Sequence, residues 1–308
     1  MFYRWRRAFA ARRFNLQIAG AFGTAPLRLT DAPLSIVSMV STGDLPMYLL
    51  ALKSFYGHIG RGKVVAIIAR TSRERLRRLL REHVPGIEIV EIESIPIGSC
   101  QAGGCWERLL YILDRAEHEY VIQLDSDTLT VGHDIPEVKD CIAANRSFVL
   151  SGGPAASGLR IVSMREAAAS ADVSNSHINF VAQRCLDVYP DAEALRYVRG
   201  SGAFAGFARG GYTRRGVEEF HHHMAELLGA RWREWGTEQC ASNFAIANSP
   251  EGTVLPWPEY ANFRPLQPLA GARFLHFYGS VRYEKGRYAQ LARERINGMA
   301  SRQRSEQD

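Results

Sequence analysis

The chain has 308 residues, 46% apolar and 23% charged, which suits a soluble protein able to bury a sizeable core. Its net charge of +6 is gathered near the N-terminus, and the nearly balanced remainder lacks a basic stripe, which excludes nucleic acid as the expected partner. No run of roughly 18 apolar residues offers a membrane span.

Residues 1–30 read as a basic N-terminal segment. Arg4, Arg6, Arg7, Arg12 and Arg13 stand there without an acid, interleaved with Phe2, Tyr3, Trp5, Phe9 and Phe14. The pattern admits two readings, a frayed basic terminus or a peripheral contact with the anionic inner face of a membrane. An apolar stretch followed by a small-residue cleavage site is missing, which argues against secretion. Five cysteines (100, 105, 141, 185 and 240) form no disulfide framework or zinc spacing, so Cys100 and Cys105 read as free thiols in a reducing cytoplasm.

Residues 31–290 read as one α/β domain. Ser35–Val40 is an apolar strand ending in the loop Ser41-Thr42-Gly43-Asp44. A helix follows over 45–55, with Asp44 as its cap and Pro46 in its first turn. Lys63–Ile68 predicts a buried strand, 71–83 a basic amphipathic helix stopped by Pro85-Gly86, and Ile87–Ile92 a third strand. Trp106–Ala116 predicts a helix and Tyr120–Leu124 another buried strand. This alternation implies a single doubly wound, mostly parallel sheet. Beyond residue 150 the signals thin: a loop over 151–158, a helix-like stretch at 167–171, a glycine-spaced strand over 200–208, helices over 217–228 and 235–247, a loop over 256–268 and a closing strand at Phe274–Gly279. Residues 291–308 read as a polar tail.

Asp125-Ser126-Asp127 follows directly on the apolar run Tyr120–Leu124. A strand would deliver the two carboxylates to the carboxyl edge of the sheet, where open α/β folds bind ligands, and at i and i+2 they would share a side. Hard ions such as Mn²⁺ or Mg²⁺ prefer oxygen ligands and keep substrate phosphates in their shell. The triplet alone is a weak signal.

Three further segments strengthen it: Trp106-Glu107-Arg108-Leu109, Trp235-Gly-Thr-Glu238-Gln239, and His276-Phe-Tyr-Gly279-Ser-Val-Arg282. Together with Leu124-Asp-Ser-Asp-Thr128 they resemble, in order and approximate spacing over residues 34–290, the glycosyltransferases of the A-type fold. The likeness is to the retaining family that contains glycogenin and bacterial lipopolysaccharide galactosyltransferases. Two departures stand out: Arg282 occupies the place of a lysine, a planar fork rather than a point charge, and residues 130–200 match nothing in the family.

The resemblance implies a hexose transfer from a nucleotide-sugar donor, a UDP-sugar in that family's manner, to a carbohydrate or glycolipid acceptor. It implies a Mn²⁺ or Mg²⁺ held by Asp127 and His276 with Asp125, and donor contacts from Val40, Ser41, Thr42, Arg108, Asp125, Ser126, Gly279 and Arg282. Glu238 and Gln239 would lie beside the sugar as the catalytic pair. A nucleotidyltransferase on a similar sheet and a non-catalytic sugar-nucleotide-binding protein are the alternatives.

Each residue also has a plainer reading. His276 on an apolar strand suits a satisfied core histidine, Arg108 a partner for Glu107 or Asp114, and Glu238 an acid favoured by a helix N-terminus. Gly200, Ser201 and Gly202 suit either a sugar pocket or a tightly packed strand. His221-His222-His223 do not share a helix face and read as solvated. Trp257 and Tyr260 suit acceptor stacking or packing on the core.

Overall fold

A strand buried on both faces sends alternate side chains into two different layers, so each apolar run must meet helices above and below the sheet. The chain follows this rule. In the computed structural model, which describes residues 2–152 and 158–305, Ile36, Val64 and Ile122 enter one core and Val37, Val65 and Val121 the other.

The strands are β1 (Leu34–Met39), β2 (Lys63–Ile68), β3 (Glu88–Glu91), β4 (Tyr120–Leu124), β5 (Thr128–Thr130), β6 (Phe148–Leu150), β7 (Val162–Ser163), β8 (Arg196–Tyr197), β9 (Ser201–Phe207), β10 (Thr253–Val254), β11 (Tyr260–Asn262) and β12 (Phe274–His276). The helices are α1 (Phe2–Gln17), α2 (Leu45–Ile59), α3 (Glu74–His83), α4 (Trp106–Ala116), α5 (Pro136–Ala143), α6 (Met164–Ala169), α7 (Ile178–Arg184), α8 (Arg214–Leu228), α9 (Thr237–Ala247) and α10 (Arg287–Ser305).

Seven strands form one sheet in the order β10-β6-β9-β4-β1-β2-β3. It is mostly parallel; β9 alone runs against both neighbours, β4 and β6. A smaller sheet, β11-β12-β5, and the pair β7-β8 complete the strands described. α1, α2 and α10 cover one face of the large sheet through Phe14, Leu49, Phe55, Tyr288 and Ala292. α4, α8 and α9 cover the other through Trp106, Leu109, Phe220 and Phe244. The terminal segments 1–30 and 291–308 thus both place side chains in a core.

Several expectations are corrected. Asp44 stands at the N-cap position of α2 but makes no side-chain cap; its carboxylate instead accepts a 2.5 Å bond from the Ser41 hydroxyl. α8 begins at Arg214, earlier than its apolar periodicity, because Thr213 accepts from the Gly216 amide at 3.2 Å. The stretch 256–268 is not all loop, since β11 lies inside it. Residues 153–157, within the expected loop 151–158, lie outside the described residues.

Candidate active site

β4 ends at Leu124, and Asp125, Ser126 and Asp127 form the tight connection into β5. Strand alternation therefore does not set the direction of the two carboxylates; the turn does. Backbone bonds pin it: the Asp125 amide donates to Ala203 of β9 at 2.9 Å, and the Phe277 amide to Asp127 at 2.8 Å. β5 then pairs antiparallel with β12, with Thr128 opposite His276. That register carries a residue from near the carboxy terminus to the acidic turn. His276 Nε2 lies 3.4 Å from Asp127 Oδ1, its Nδ1 lies 2.7 Å from Asn262 Oδ1, and Arg282 donates to Asp127 Oδ2 at 2.5 Å.

Asp125 is held from the other side. Trp106, wholly buried, donates its indole N–H to Thr237 Oγ1 at 3.1 Å, fastening α4 to the first turn of α9. Gly236 makes that turn possible, with φ of +108° just before the helix. The clasp sets Arg108 between two carboxylates: it pairs with Asp125 and lies 3.4 Å from Glu238. The plainer partners are engaged elsewhere. Glu107 accepts from the Gly103 amide at 2.7 Å, and Asp114 pairs with Arg214 at 2.6 Å.

These groups line or back a cleft of about 650 Å³ at the carboxyl edge of β1, β2 and β4. Val40, Ser41 and Thr42 form one wall, and Arg108, Asp125, Ser126, Asp127 and Arg282 the floor. Ser126 is steadied by a 3.2 Å bond to the Met39 carbonyl. Four expected residues are not on the lining. His276 stands behind Asp127. Glu238 is buried behind Arg108. Gln239 donates to the Gly200 carbonyl at 3.1 Å and packs against Gly202. Gly279 is an exposed turn residue with φ of +54°. It reverses the chain after β12 so that Arg282 comes back to Asp127.

Burial raises the Asp125 carboxyl above its usual range, with Arg108 opposing and Asp127 reinforcing the rise. Burial acts on Asp127 too, but His276 and Arg282 overcome it and hold that carboxyl low. Glu238, deepest of the three, is pushed up to about 7 by burial, against the pull of Arg108. The Cys105 thiol on the cleft wall is driven by burial up to about 12 and stays protonated.

One donor atom each from Asp125, Asp127 and His276 lie within 4.8 Å of one another. Ligands at ~2.1–2.4 Å on opposite sides of one divalent ion span about that distance, so the set fits a single cation. Asn262 fixes the ring of His276 through its other nitrogen, the outer contact that ligating histidines use.

The sequence reading missed Asn262, which sits in a stretch without periodicity. It also left unassigned Trp235, an exposed residue of the cleft lining, and Arg73, which lines the cleft with Thr71 and Ser72. Other candidates pack structurally. Tyr260 is wholly buried and donates to Glu137 at 2.7 Å. His221 is buried and accepts from the Trp232 indole at 3.0 Å, so it is not part of a solvated face. The five cysteines are unpaired.

No protein-family model and no curated protein sequence matches the chain. Among solved structures it is similar to the glycosyltransferase GlyE of Streptococcus pneumoniae, with 12% identity, a TM-score of 0.50, and coverage of 89% of this chain and 63% of that one. The fold is that of the A-type glycosyltransferases. The galactosyltransferase LgtC, solved with donor and acceptor sugar analogues, aligns at 12% identity and TM-score 0.48 over 84% of this chain and 95% of that chain. The bifunctional glycosyltransferase WbbM aligns at 14% identity and TM-score 0.46, over 88% and 53%. The chain therefore spans less than two thirds of GlyE and about half of WbbM.

Proposed function

We propose that the chain is a metal-dependent glycosyltransferase that moves a hexose from a nucleoside-diphosphate sugar, a UDP-hexose, to a carbohydrate or glycolipid acceptor. One observation carries the reading: Asp125 and Asp127, on the floor of a cleft whose wall is the end of β1, converge with His276 within reach of a single ion. Mn²⁺ or Mg²⁺ is the ion assigned there, and when bound it supplies Lewis-acid neutralisation of a diphosphate leaving group.

The chain's own residues do the rest. Val40, Ser41 and Thr42 receive base and ribose at the sheet edge, and Ser126 closes that wall. Arg108 and Arg282 meet phosphate or sugar oxygens with charge-assisted hydrogen bonds. Both have a buried Nε–H without a partner among the described residues, spare donor capacity of the kind an oxyanion takes up. Glu238 and Gln239 act one layer behind the cleft. Glu238 orients Arg108, and Gln239 braces Gly200 and Gly202. Gly279 permits the return of Arg282.

The test is UDP binding by calorimetry with and without Mn²⁺, followed by donor hydrolysis with several nucleotide sugars. Metal-dependent binding of UDP is expected, and its loss in Asp127→Ala while circular dichroism shows the fold intact. A folded protein that ignores every nucleotide with and without metal refutes the assignment.

A further inference from the structure

α1 carries two apolar faces. Phe14, and Ile18 just past the end of the helix, are buried in the core. Phe14 meets the Tyr283 ring edge-on at 5.6 Å and the Tyr288 ring at 4.8 Å, which fixes the helix against the turn that bears Arg282. Trp5, Phe9 and Leu16 are instead 74%, 71% and 71% exposed. Together with Arg12 they recur at i, i+4, i+7 and i+11, the spacing of one helix face, and Arg12 and the neighbouring Arg13 are exposed as well. A solvent-facing stripe of tryptophan, phenylalanine and leucine is costly in water.

The charge of the chain says what covers it. Residues 1–30 hold six arginines and no acid, and the other 32 basic residues are matched by the 32 acids. The whole excess of +6 therefore belongs to this segment. Large apolar side chains set among arginines on one helix face fit the boundary of an anionic bilayer, where rings enter the headgroup layer and guanidiniums meet lipid phosphates. No helix among the described residues is long and apolar enough to cross a membrane, so the contact is a surface one.

We propose that α1 is an interfacial helix that docks the protein on an anionic lipid surface through Trp5, Phe9 and Leu16, with Arg12 and Arg13 at the headgroups. Beside it, a cleft of about 380 Å³ lies between α1 and the turn 282–286, lined by Phe9, Arg13, Lys285 and Arg282. Arg282 also lines the large cleft. The docked surface is thus on the side of the molecule from which a lipid-borne acceptor would reach the donor site; this last step rests on the proposed glycosyl transfer, whereas the docking does not.

The probe is co-sedimentation with vesicles of phosphatidylcholine alone and with one-third phosphatidylglycerol, at low salt and at 0.5 M salt. The full chain is expected to sediment with the anionic vesicles and to be released by salt. Arg12→Gln with Arg13→Gln should weaken partition by about tenfold or more, given ~1 kcal/mol per arginine near the surface. Trp5→Ser with Phe9→Ser and Leu16→Ser should abolish it, while the melting temperature and UDP binding stay unchanged, since these side chains are at least 71% exposed. Wild-type protein that stays in the supernatant with anionic vesicles overturns the proposal, as does a triple variant that sediments like wild type. Self-association without vesicles that disappears in the triple variant also overturns it, assigning the face to a second copy of the chain. Because UDP binding is read separately, failure of the docking is distinguishable from failure of the transferase reading.

Discussion

Replacing Arg108 by methionine isolates the electrostatic frame of the cleft floor. Methionine preserves most of the volume, so the loss is one of charge rather than of packing. Arg108 is 4% exposed and joins two carboxylates, Asp125 and the nearly inaccessible Glu238. Removing one member of a buried ion pair leaves its partner unpaired at a cost of about 3–5 kcal/mol. Glu238 limits its own share, because a carboxyl already pushed up to about 7 takes a proton readily; Asp125 bears the larger part. With a urea slope of about 3 kcal/mol/M for a chain this long, the midpoint should fall by roughly 1–1.5 M at pH 7.5. Adding Glu238→Gln to Arg108→Met should recover about 1 kcal/mol, a positive coupling in a double-mutant cycle. Urea unfolding followed by circular dichroism measures both. A single variant within 1 kcal/mol of the parent, or strict additivity of the two changes, would refute the reasoning.

Glu238→Gln alone carries a pH signature. The carboxyl titrates near 7 in the folded protein and near 4.5 when unfolded, so between those values the folded state keeps a proton the unfolded chain has lost. Its stabilising effect is fully present below about 4.5 and is lost as pH rises through 7. The variant should therefore gain on wild type by up to about 3 kcal/mol from pH 4.5 to pH 8, and a constant stability difference over that range contradicts the assignment. Asn262→Ala should weaken Mn²⁺ binding about 10–100-fold without unfolding the protein, because it frees the ring of His276; calorimetry with unchanged affinity would remove Asn262 from the site. Gly206→Ala should cost about 1–3 kcal/mol in thermal unfolding, since a methyl there meets the Phe148 ring and the Tyr120 hydroxyl across the sheet. A melting temperature equal to wild type would show that the strand shifts freely.

Legibility followed burial. Tyr120–Leu124 and Lys63–Ile68 are covered on both faces, so their apolar runs coincide with β4 and β2 residue for residue. Trp106–Ala116 likewise ended where its periodicity ended. By contrast β5, β6, β7 and β8 are two or three residues long, too short for any period to register. The reversal of β9 was also silent, because Gly, Ala and Phe fit a strand in either direction. The acidic turn and His276 were visible as residue types, and the end of β1 as the place where Val40 through Thr42 line the cleft. What the sequence could not express was the depth of Glu238 and the turn of Gln239 onto the Gly200 carbonyl. A helix start beside a ligand and a helix start behind an arginine have the same letters, and only the fastening of Thr237 to Trp106 separates them.

The pairing of β5 with β12 has a consequence for how the molecule comes together. Arg282 and Asp127 are 155 positions apart, and His276 reaches the acidic turn only when the end of the small sheet has zipped onto Thr128. Closing so long a loop is slow relative to local helix formation. A chain whose large sheet has formed but whose residues beyond 274 are still loose would look largely native and yet be chemically blank, and recovery of ligand binding on refolding should lag behind recovery of secondary structure.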